Sequence, residues 1–154
     1  SHARNHGDPV PPPDDVGDDF SGVSVCMHVR GYQRTTASMV TWLPADRSER
    51  PHTVAALGSP CCSIFVPCGT GWVPEVLGDA DAWSAVGAIT DAVEATPDAL
   101  HRVREVLDPV EDRIWAQAAE RSGRPPLDGG VAWSMEVRKA LPTAAEAVGA
   151  KVDR

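Results

Sequence analysis

From residue 22 the chain alternates between apolar and small polar side chains. Val23, Val25, Met27 and Val29 fall on one side of an extended backbone, and Gly22, Ser24, Cys26 and His28 on the other. A period of two marks a half-buried strand, so residues 22–29 are predicted to form one. Arg30-Gly31-Tyr32 supplies a short turn with a glycine free to take positive φ. The β-branched and aromatic run from Arg34 to Leu43 then reads as the returning strand of a hairpin. A polar loop from Pro44 to Pro51 leads to a third predicted strand over 52–57, broken by Gly58-Ser59-Pro60. A fourth is predicted over 61–66 and stopped by Pro67. Short strands in succession predict an antiparallel meander.

After residue 72 the period changes from two to that of a helix. Trp83, Val86, Ile89 and Val93 fall on one face of a segment over 79–95. Thr96-Pro97-Asp98 is a helix start, followed by the apolar stripe Leu100, Val103 and Leu107. Asp108-Pro109, with Glu111 three residues after the aspartate, reads as a second start. Val110, Ile114 and Ala118 continue inward from it, and Ser122-Gly123 closes that helix. Two more helical segments are predicted over 131–141 and 143–152, separated by Pro142. The expected class is α+β: strands and loops over 1–72, helices over 73–154, with no internal repeat.

Charge narrows the function classes. The 154 residues carry 22 acids against 14 Lys and Arg, a net charge of −8. Binding to nucleic acid needs a basic footprint, which this composition lacks. No apolar run approaches the roughly 18 residues that span a bilayer, so no membrane partner is expected. The acids of segment 8–19, DPVPPPDDVGDD, do not follow the spacing of a twelve-residue calcium loop, and a solvated acidic loop is the expectation there.

The four cysteines, Cys26, Cys61, Cys62 and Cys68, lack the framework of a disulfide-stapled mini-protein. They are expected to be reduced thiols in a cytoplasmic protein. Cys61 and Cys62, adjacent on a strand, would point to opposite faces. Cys26 and His28 with Cys61 or Cys68 would offer soft ligands, but without the paired Cys-x-x-Cys spacing of a zinc site, so no metal and no cofactor is expected.

Candidate chemistry gathers on the polar face of the first strand. Ser24, Cys26 and His28 lie there, and Thr36 and Ser38 join from the second strand. Hydroxyls, a thiol and an imidazole on one sheet face either line a pocket or satisfy one another under helices. Cys26 and His28 are two residues apart on one strand, roughly 6–7 Å at Cα, which is loose for a nucleophile and its base. Ser1 could act as an N-terminal nucleophile if exposed by cleavage. There is no Gly-x-Ser-x-Gly elbow, no complete phosphate-binding glycine loop and no His-Glu-x-x-His helix.

Five blocks carry a resemblance. They are Ser1-His2-Ala3-Arg4-Asn5-His6-Gly7, Ser24-Val-Cys-Met-His28, Thr35-Thr-Ala-Ser-Met-Val40, Gly58-Ser-Pro-Cys61 and Ser63-Ile-Phe-Val-Pro67. In this order and spacing they resemble the later part of secernin-like proteins, relatives of bacterial dipeptidases among the N-terminal-nucleophile cysteine hydrolases. Leu100-His101-Arg102 resembles the family's helical tail more weakly. The resemblance implies a four-layer αββα sandwich and hydrolysis of dipeptides or small amides. The family's nucleophile is a cysteine at the mature N-terminus, and nothing here matches that motif. Cys26 matches the downstream block, so the nucleophile's role is not carried onto it, and Ser1 falls in a mid-chain block. The chain is therefore expected to be the C-terminal portion of one αββα domain, inactive alone, whose partner is the missing N-terminal portion. Residues His6, Cys26, His28, Thr36 and Ser38 are the expected pocket lining, and no catalytic residue is assigned. The alternative is a non-catalytic interaction or scaffold protein of the secernin type. A sheet cut from a sandwich leaves an open edge and face, which also leaves a homo-oligomer open.

Overall fold

The computed structural model describes residues 26, 28–29, 33–46, 48–69, 71–96, 98–121, 128 and 130–152, with the backbone alone at 28, 29 and 33. The expectations placed on 1–25, including His6 and residues 22–25 of the first predicted strand, lie outside the described residues. The architecture is α+β. A two-stranded ribbon pairs β1 (His28–Val29) with β2 (Gln33–Arg34), antiparallel, His28 opposite Arg34. A three-stranded antiparallel sheet has the order β3 (Ala37–Trp42), β4 (His52–Leu57), β5 (Val66–Cys68). Three helices follow: α1 (Ala80–Ala95), α2 (Ala99–Glu120) and α3 (Val131–Ala147).

The fourth predicted strand is displaced. Residues Pro60–Cys62 form a 3₁₀ turn, and the strand begins only at Val66. Proline presets the backbone for the turn's first position, and the Cys62 N–H closes it on the Ser59 carbonyl at 2.9 Å. Pro67 sits inside β5 instead of ending it, opposite Val54. That is tolerated because β5 is an edge strand, where a missing donor leaves no neighbour unpaired.

Both predicted helix breaks are absent. Pro109 lies within α2 and Pro142 within α3. An interior proline costs about 3 kcal/mol and one backbone hydrogen bond. Against that stands burial on both sides of each proline. Ala99, Val103, Leu107 and Ile114 are all fully buried along α2, as are Leu141 and Ala144 around Pro142. Interrupting either helix would strip half of such a stripe from the core, and tertiary packing outweighs local propensity.

One face of the sheet meets the helices. Ala55 and Val66 are register partners on that face, and Val66 and Leu57 pack into the core with Val86, Ile89, Val103, Leu107 and Ile114. The opposite face carries Ser38, Val40 and Trp42 beside Ala56, Val54 and His52. Towards its end β3 projects beyond its cover: Met39, Trp42 and Leu43 are 71%, 71% and 75% exposed.

Helix α1 is fixed at its start by Asp79. Its carboxylate accepts the N–H groups of Asp81 at 2.9 Å and Ala82 at 3.1 Å, and Arg138 of α3 donates to its other oxygen at 2.5 Å. The Ala82 N–H, and then Arg138, hold this carboxyl below the usual carboxylate range. Because the folded value is depressed, the cap stabilises fully above the unfolded value near pH ~4 and fades as pH falls through the folded value. Asp79→Ala is expected to cost about 1 kcal/mol at pH 7 and less at pH 2, as read by denaturant unfolding at the two pH values.

Candidate functional site

The site is built around the loop from Gly58 to Phe65, where three distant stretches of chain meet. Gly58 turns the chain at φ +60°, and its N–H donates to the Thr36 carbonyl at 2.7 Å. The Ser59 hydroxyl, fully buried, donates to the Thr35 carbonyl at 3.4 Å. The Cys61 N–H donates to the Cys26 thiol at 3.3 Å. One short turn thus ties residue 26, the approach to β3 and the end of β4 together.

The thiols cluster there. Cys26, Cys61 and Cys62 are all buried, at 2%, 2% and 0% exposure. Cys61 and Cys62 do not point to opposite faces as a strand would require. On the 3₁₀ turn their sulfurs lie 3.5 Å apart. Hydrogen bonding of the Cys61 thiol with Cys26 and then Cys62, together with burial, pushes it far above the usual thiol range. Burial also pushes the Cys68 thiol up. None of the four is in a disulfide. A protonated, desolvated thiol is a poor nucleophile and a poor metal ligand. Among the described residues, no group of three or more His, Cys, Asp or Glu side chains is arranged to hold a metal ion.

Helix α2 grips the same loop from below. Arg104 donates to the carbonyls of Ser63 at 2.7 Å and Cys61 at 3.4 Å. Its guanidinium also pairs with Asp108 and stands 3.6 Å from Glu111. Glu111 accepts the Phe65 N–H at 3.1 Å, and Trp115 donates to the Phe65 carbonyl at 3.1 Å. Both backbone groups of Phe65 are therefore satisfied by helix side chains, as a neighbouring strand would satisfy them. Positions 104, 111 and 115 share one helical face.

The sequence-predicted pocket residues end up in different places. Cys26 is buried against Cys61. His28 is in β1, opposite Arg34. Thr36 is exposed, and Ser38 is half-buried on β3 opposite Ala56. His6 lies outside the described residues. The polar groups that organise the loop, Ser59, Arg104, Glu111 and Trp115, were not among the candidates. Glu111 carried a readable signal: it falls on the inward stripe of Val103, Leu107 and Ile114, where a carboxylate requires a donor. Reading it as a helix start concealed that.

Among the described residues no helix is long and apolar enough to cross a membrane. No family profile, no curated protein and no solved structure matches this chain.

Proposed function

We propose that the chain is the C-terminal portion of a cysteine dipeptidase-like amide hydrolase of the N-terminal-nucleophile class. The observation that supports this reading is the convergence of the resembling blocks. The block of Cys26 and that of Thr35 and Thr36 are each joined by direct hydrogen bonds to the block of Gly58, Ser59 and Cys61, Thr35 across 24 positions and Cys26 across 35. In this reading the sheet belongs to an αββα sandwich. The exposed end of β3, with Met39 on one face, Trp42 on the other and Leu43 just beyond the strand, is the end that the N-terminal portion covers. A peptidase of this class attacks the scissile carbonyl with an N-terminal thiolate, its own amine acting as base, and donors stabilise the tetrahedral oxyanion. This chain supplies sheet, wall and covering helices, with His6, Cys26, His28, Thr36 and Ser38 as the wall residues to test.

The purified 154-residue chain is expected to hydrolyse no dipeptide, because Cys26, Cys61 and Cys62 are buried and in this reading the nucleophile lies upstream. Measurable turnover that disappears in Cys26→Ala would overturn that. The same burial favours the second reading, a non-catalytic scaffold of the secernin type, in which the apolar end of β3 is a docking surface alone.

A further inference from the structure

We infer that Cys26 and Cys61 form an oxidisable pair whose disulfide tethers residue 26 to the turn at Gly58–Cys62. The inference is independent of the hydrolase reading.

Geometry selects the pair. The Cys26 sulfur lies 3.3 Å from the Cys61 N–H and is hydrogen-bonded to the Cys61 thiol. Two cysteines 35 positions apart in sequence already meet in the reduced fold. Cys61 has a second thiol nearby, that of Cys62 at 3.5 Å. Closing that vicinal pair to a bond of about 2.05 Å would form a small ring that contains the planar peptide between the two residues, distorting it and the 3₁₀ turn. Cys26 comes from a separate stretch of chain, so a bond to it leaves the peptide between Cys61 and Cys62 out of the ring. Cys68 stands apart, half-buried in β5 beside Thr53.

The step is a two-electron oxidation. A thiol oxidant of the peroxide or azodicarboxamide class takes one hydrogen from each thiol, leaving one sulfur–sulfur bond and either two waters or the hydrazine. Both thiols are almost wholly shielded, so reaction proceeds only when the turn opens, and it is slow. Once formed, the crosslink closes a long loop and raises the melting temperature.

The test treats the intact chain with diamide under native conditions and maps the tryptic peptides by mass. The expected result is a loss of about 2 Da, the two thiol hydrogens, with Cys26 and Cys61 in one linked peptide pair. The melting temperature should rise and return to its starting value with dithiothreitol. Cys62→Ala should keep the linkage and Cys26→Ser should abolish it. A crosslink between Cys61 and Cys62, a crosslink to Cys68, or no intramolecular disulfide in the folded chain overturns the inference. Mapping the unmutated chain decides the matter even if a variant fails to fold.

Discussion

Replacing Glu111 with alanine is expected to lower folding stability by about 2–4 kcal/mol. Two losses add. The Phe65 N–H, in a buried stretch, loses its 3.1 Å acceptor, and an unsatisfied buried donor costs about 1–3 kcal/mol. Arg104, itself only 14% exposed at its side chain, loses the nearby carboxylate and retains Asp108 and the carbonyls of Cys61 and Ser63. Glu111→Gln keeps an acceptor for Phe65 while removing the charge, so it should cost less than half as much. Urea unfolding of the three proteins reads both values. Equal and small effects of alanine and glutamine would show that the loop does not depend on this carboxylate.

Gly58→Ala is expected to cost a similar amount, about 2–4 kcal/mol, for a different reason. The residue has φ +60°, where a side chain is strained, and an added Cβ would lie 2.6 Å from the Cγ1 atom of Val86. Valine is stiff at χ1 and fully buried here, so it cannot swing aside. The two causes separate in a double-mutant cycle. In a Val86→Ala background the clash is gone, and Gly58→Ala should then cost only the backbone strain, about 1–2 kcal/mol. Identical costs in both backgrounds would remove the clash from the explanation.

Much of the fold could be read from the chain. The strand over 52–57 and the helix over 79–95 match β4 and α1 closely because period and punctuation agree there. The errors came where a local signal competed with packing. Pro109 and Pro142 carry strong stop signals, but each lies in the middle of a buried stripe. The apolar run before Pro67 looked like a strand, whereas Pro60 had already committed the chain to a turn. The site was less legible, for a physical reason. Alternation along a strand shows which residues share a face but not what faces them. It placed Cys26 among polar pocket residues, and nothing local disclosed Cys61 as its neighbour from 35 positions away. Only Glu111, polar on an apolar stripe, announced a long-range partner.

The central proposal is that this chain completes a hydrolase whose nucleophile lies upstream of it. The most direct measurement is dipeptide hydrolysis by the product of the native reading frame, expressed with whatever precedes Ser1. The account predicts turnover from that product, carried by a cysteine exposed at its processed N-terminus and abolished when that cysteine is replaced by alanine. A reading frame with no such cysteine, or a product that cleaves no dipeptide, would contradict the enzyme reading and leave the scaffold.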